Sequence, residues 1–183
     1  MTTETKADRN GTDWVEAIGK PAYESIAEMV AALQCDYERL EELREERADL
    51  VSEAEDDTNA VRKESRKALK AWDTENGEEL AELTAAAGDC ESEEQARERI
   101  QEDPLSLQVR SGWHSPGEES EAEEFELLLG TGGPAVRIIG ELDDGEPDHA
   151  RLQVQDWSKP WTEYTDVDRD VLLAYCRVFY FGE

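Results

Sequence analysis

Long apolar runs are missing from this sequence. None approaches the roughly 20 residues that a membrane-spanning helix needs, which argues against a membrane protein. Cysteine is scarce and odd in number. Cys35, Cys90 and Cys176 are isolated, no Cys-x-x-Cys occurs, and His114 and His149 stand at no ligand-like spacing from them. A disulfide framework and a zinc site are therefore not expected, and reduced thiols in a cytoplasm are. Basic residues are the deepest shortage: 19 against 47 acidic ones, for a net charge of −28. That imbalance opposes direct binding to nucleic-acid phosphates or anionic lipid, and it favours basic partners.

The acids are spread along the chain. Residues 1–104 hold 30 acids and 13 bases, and residues 105–183 hold 17 and 6, so the charge belongs to the folded body rather than to a tail. Hydrophobic residues are only 38% of the chain, but Trp14, Trp72, Trp113, Trp157 and Trp161 are well separated and call for a folded interior or an interface. The opening MTTETKADRNGTD has neither the basic nor the apolar region of a secretion signal and is expected to be a polar arm.

The periodicity divides the chain. Residues 1–20 read as a polar arm and short helix, stopped at Gly19, with Pro21 opening the next helix. Residues 21–104 read as a helical region with a coiled-coil-like hairpin. Ile26, Met29, Leu33, Leu40, Leu43 and Leu50 form its stripe, with Asp36 and Arg47 as interruptions. A turn at 56–59 leads to a second helix bearing Arg62, Lys63, Arg66, Lys67 and Lys70 on one side. An antiparallel hairpin is expected to neutralise that basic stripe against the acidic helix. Asn76-Gly77 reads as a turn, and Ser92-x-x-Gln95 as a capping box.

From Leu105 the period falls to two. Leu105, Leu107 and Val109 predict a strand with one buried face, followed by strands at 125–129, 135–142 and 151–155 and a helix capped by Asp166 or Asp168. Residues 105–183 are thus an antiparallel β-meander plus a C-terminal helix. The fold class is α+β: an N-terminal helical hairpin or bundle, then a four-stranded antiparallel sheet with a C-terminal helix.

No motif carries chemistry. Gly130-Thr131-Gly132-Gly133-Pro134 lacks the lysine and following helix of a phosphate loop and reads as a hairpin connection. No nucleophile elbow surrounds any serine, and the acidic runs do not match a calcium loop. No catalytic residue, metal site or cofactor is assigned, and the chain is read as a non-enzyme.

The segments WHSPGEE, LLGTGGPAVRI, VQDWSKPWTEY and YCRVFYFGE resemble small acidic proteins encoded on bacteriophages and mobile elements. The resemblance implies a cytoplasmic setting in a bacterial host cell and no catalytic residues. By analogy of charge it extends to anti-defence factors whose carboxylates imitate DNA phosphates.

The functional expectation is an acidic interaction protein that mimics nucleic-acid charge and blocks a basic surface on a nucleic-acid-binding host protein. The candidate contacts are Glu38, Glu41, Glu42, Glu45, Glu46 and Asp49; Glu118, Glu119, Glu121, Glu123 and Glu124, in a run reaching Glu126; and the aromatic pair Trp157 and Trp161. The alternatives are a helical adaptor, with a homodimer through the 26–51 stripe, and an ordinary α+β protein from a salt-adapted system. Neither direct nucleic-acid binding nor membrane attachment is expected.

Overall fold

The computed structural model describes residues 9–56, 61–117 and 120–182. Its helices are α1 (Arg9–Leu33), α2 (Tyr37–Asp56), α3 (Val61–Ala87) and α4 (Glu93–Glu102). There follow β1 (Ser106–Arg110), β2 (Glu124–Gly130), β3 (Ala135–Asp143), β4 (Glu146–Gln155), β5 (Thr162–Glu163) and α5 (Arg169–Cys176). The fold is α+β: helices, then an antiparallel sheet, then a C-terminal helix. The sheet has five strands in the order β1-β2-β3-β4-β5, one more than the periodicity predicts. The additional strand is two residues of the aromatic loop, too short to carry an alternation. No helix among the described residues is long and apolar enough to cross a membrane.

The chain forms two compact units, one made of the residues up to Val30 together with those from Arg97 onward, the other of Ala31–Ala96. In the first, Phe125, Leu127, Ile138, Leu152 and Val154 alternate onto one face of the meander and are buried. Helix α5 packs on β4 and buries Leu172, Tyr175 and Cys176. Asp168 starts α5 by accepting a hydrogen bond from the Asp170 N–H at 2.9 Å. The Phe125 and Phe181 rings meet at 4.7 Å between centroids. The Tyr175 hydroxyl donates to the Asp103 carboxylate at 2.5 Å. Burial, that hydrogen bond and the nearby carboxylate all push the phenol well above its ordinary value.

The second unit is a helical hairpin with an apolar base. Across it Cys35 faces Leu83, Arg39 faces Glu79, Glu46 faces Trp72, and Arg47 faces Asp73. As the α2 side advances from 35 to 47, its partners retreat from 83 to 72–73, so α2 and α3 run antiparallel. Leu40, Leu43 and Ala54 of α2 are buried, whereas Leu69, Trp72, Leu80 and Leu83 of α3 are only half-buried. At the base, Ala32, Cys90 and Ala96 cluster with Leu33 and Tyr37, and the Tyr37 hydroxyl donates to the Ala32 carbonyl at 3.0 Å.

Four local expectations are overturned. Helix α1 passes through Gly19 and Pro21 without stopping. Gly19 is there for a close approach: a Cβ would run into the Tyr164 ring. Burial of Val15 before and Ile26 after offsets the roughly 3 kcal/mol that an internal proline costs. The coiled-coil stripe is not continuous, because the helix ends at Leu33 and a new one starts at Tyr37. Asp36 is the cap of α2 rather than a flaw in the stripe, its carboxylate accepting from the Arg39 N–H at 3.0 Å. Asn76-Gly77 is not a turn: α3 continues through it, held by Trp72 before and Leu80 and Leu83 after. Leu105, Leu107 and Val109, expected on a buried face, remain 60%, 37% and 44% exposed, because β1 is the edge of the sheet. The Ser92–Gln95 capping contact is present, with the Gln95 N–H donating to the Ser92 hydroxyl at 3.2 Å.

Two outcomes test this core. A Cβ at Gly140 would collide with the His149 carbonyl oxygen and the Phe125 ring, so Gly140→Ala should cost about 2–3 kcal/mol in urea unfolding. Tyr175 has its pKa raised on folding. The stability it contributes is therefore complete below its ordinary pKa of 10.0 and is lost as pH rises above that value. Tyr175→Phe should cost about 1–2 kcal/mol at neutral pH and show a shallower alkaline loss than the parent chain, read by unfolding midpoints across pH.

Candidate acidic interface

Helix α2 carries nine acids and three bases. Its apolar positions turn toward α3, which sends Glu38, Glu42, Glu45 and Asp49 onto the opposite side at steps of four, three and four residues. Glu41 and Glu46 flank this row. All six side chains are exposed. Glu42 pairs with Arg39 at 3.2 Å, and Glu46 accepts from the Trp72 indole N–H at 3.0 Å. Glu38, Glu41, Glu45 and Asp49 make no hydrogen bond or ion pair among the described residues.

From Glu38 to Asp49 the helix rises about 16 Å, so six carboxylates give about one charge per 3 Å. Duplex DNA offers one per about 1.7 Å of axis. The face thus supplies roughly half the linear charge density of the duplex. It is rigid because the underlying leucines are fixed in the hairpin.

The hairpin's ion pairs do not run as the charge pattern suggests. The expected exchange was between acids of α2 and bases of α3. The observed pairs join arginines of α2 to acids of α3: Arg39 to Glu79 at 3.0 Å and Arg47 to Asp73 at 2.9 Å. The two nitrogens that Arg39 offers hold the Glu79 carboxyl below its usual range. Lys63, Arg66, Lys67 and Lys70 are exposed and form no ion pair among the described residues. Arg62 alone of the stripe is half-buried, its guanidinium donating to the Glu55 carbonyl at 3.1 Å. Bases at the start of α3 and acids toward its end oppose the helix dipole, so packing rather than intrinsic preference sustains this helix.

The second acidic run is not one surface. Glu118 and Glu119 lie outside the described residues. Glu121 and Glu123 are exposed in the approach to β2. Glu124 and Glu126 fall on the face of the sheet away from the core, and each finds an arginine. Glu124 bonds to Arg110, whose guanidinium holds its carboxyl below the usual range, with Arg151 adding to the effect. Glu126 bonds to Arg137 at 2.5 Å. These side chains and Glu141 line a depression of about 310 Å³ on that face.

The aromatic pair also divides. Trp161 lies beneath the Arg137 guanidinium, 4.2 Å from its ring centroid, and Arg137 donates as well to Gln153 at 3.0 and 2.8 Å. That tryptophan pins its loop to the sheet, whereas the buried Tyr164, against Gly19, and Lys159, 4.4 Å from the Trp14 ring centroid, tie the same stretch to α1. Trp157 is 78% exposed in a left-handed backbone conformation.

No family model, curated protein or solved structure matches the chain. Among the described residues no group of three or more His, Cys, Asp or Glu could hold a metal ion. Arg39 was not singled out in the sequence and Arg47 was read only as an interruption of the stripe, because an arginine within an acidic helix offers no sign of which helix it will bridge to.

Since Lys67 and Lys70 form no ion pair among the described residues, Lys67→Ala with Lys70→Ala should leave the thermal unfolding free energy within about 0.5 kcal/mol of the parent. Trp72→Ala should cost about 2 kcal/mol or more, since it removes the ring and leaves Glu46 without its donor.

Proposed function

We propose that this chain is a non-enzymatic interaction protein whose α2 face occupies a basic, nucleic-acid-binding surface on a partner protein. The observation that carries the reading is the set Glu38, Glu41, Glu45 and Asp49, four exposed carboxylates of one helix whose side chains meet no partner among the described residues. Like charges kept together on a rigid surface cost stability through repulsion, and a cationic partner would relieve that cost. The surface is preorganised by the hairpin, so docking loses little side-chain and backbone freedom. In this reading the partner is a bacterial nucleic-acid-binding protein and the chain acts as an anti-defence factor by charge mimicry. Glu124, Glu126 and Trp161 are given no part in the contact, since each is engaged on the sheet. Glu121, Glu123 and Trp157 remain available for a peripheral one.

The test is a pull-down from a bacterial host, followed by a salt titration of the captured complex and competition with duplex DNA. Affinity should fall steeply with salt, and duplex DNA should displace the chain. Reversing Glu38, Glu41, Glu45 and Asp49 to lysine should weaken binding by at least about a hundredfold, since charge pairs govern such interfaces. Binding that ignores salt, or that survives the fourfold reversal, would overturn the proposal.

A further inference from the structure

The two edges of the sheet are treated differently. At one edge, β5 is only two residues long, which gives another chain little to pair with. At the other, β1 runs five residues, and among the described residues no strand pairs with its outer side. Exposed edges are ordinarily protected by charge, proline or a bulge. In a protein with 47 acids, the stretch from Leu105 to Gly117 has none. Its strand is Ser-Leu-Gln-Val-Arg, and the single charge, Arg110, is already bonded to Glu124.

The register places Leu107 opposite Leu127 and Val109 opposite Phe125, so both project from the core face of the sheet. Their partners on β2 are buried, yet Leu107 and Val109 stay 37% and 44% exposed, and Leu105 beside them 60%. The core face is continued by β1 and left uncovered there.

We infer that β1 is a homotypic edge, paired antiparallel with β1 of a second copy of this chain about a two-fold axis at Leu107. In that register Leu105 faces Val109 of the second copy, Leu107 faces its counterpart, and Ser106 faces Gln108. Arg110 falls opposite Pro104, which has no N–H to offer and ends the ladder. Apolar meets apolar on the core side, polar meets polar on the other, and no carboxylate opposes a carboxylate. Among strongly anionic molecules, this acid-free edge is where two copies can meet without a like-charge clash across the strand. A symmetric contact is self-complementary in this way, and an edge of five residues makes a small, weak interface.

Sedimentation of the purified full chain, from micromolar to near-millimolar concentration, decides the matter. A monomer–dimer equilibrium is expected, and it should tighten as salt rises from low values to about 0.5 M, because salt screens repulsion between the two anions. That sign is opposite to the one expected for the α2 interface, so the two proposals fail separately. Ser106→Lys with Gln108→Lys sets lysine against lysine across the axis and should weaken the dimer at least about tenfold. Ser106→Glu with Gln108→Lys sets opposite charges together and should restore it. Both positions lie on the face away from the core, and far-UV circular dichroism checks that each variant is folded. A chain that stays monomeric throughout, or a dimer indifferent to both pairs of substitutions, would overturn the inference.

Discussion

With 47 carboxylates and 19 cations, at least 28 carboxylates can find no cation of their own within the chain. Water must hydrate them, because an unpaired ion in the interior costs several kcal/mol even after relaxation. Every element bears the mark of that requirement. The apolar stripes are narrow, the buried residues are almost wholly aliphatic, aromatic or sulfur-bearing, and the cations are placed where they bind helix to helix or strand to strand. Arg39 and Arg47 tie the hairpin, while Arg110 and Arg137 tie the outer face of the sheet. Exposed pairs of this kind add little stability one at a time. Their larger effect is to determine which carboxylates are neutralised and which are left facing outward.

Four of the five strands were legible because a period of two survives in segments such as Phe125, Leu127 and Leu129 whatever surrounds them, and the cap of the last helix was narrowed to Asp166 or Asp168 by its place before the last apolar stripe. Element order and fold class followed from those signals. The helix boundaries were less legible for a specific reason. Gly19, Asp36 and Gly77 carry local signals whose meaning only the folded geometry decides. Gly19 makes room for Tyr164, Asp36 caps rather than interrupts, and Gly77 is carried along by Trp72 and Leu80. The exposure of Leu107 and Val109 was hidden too, since alternation reports a face and says nothing about whether another layer reaches it.

The candidate interface was partly legible. A helical period alone separates the acids of α2 from its leucines. What the period could not give was the pairing. Glu42 is engaged by Arg39 of its own helix and Glu46 by Trp72 of α3, and Glu124 and Glu126 are matched by arginines that come from other strands. Charge density in a sequence therefore overstates the charge that a partner meets, and Lys63, Arg66, Lys67 and Lys70 of α3 show the converse, since they seemed destined for neutralisation and are left exposed.

The three thiols acquire distinct chemical characters from these surroundings. Cys176 is wholly enclosed in α5, and burial pushes its thiol far above the ordinary range. Cys90 is buried at the base of the hairpin, and Cys35 lies partly open at the same end, its thiol also raised by burial and by Asp36. Alkylating reagents attack thiolates, so reaction at Cys176 must wait for the sheet unit to open, while reaction at Cys90 waits on the helical unit. The molecule thus carries a natural chemical clock for each of its two compact units, readable by mass spectrometry without adding a label.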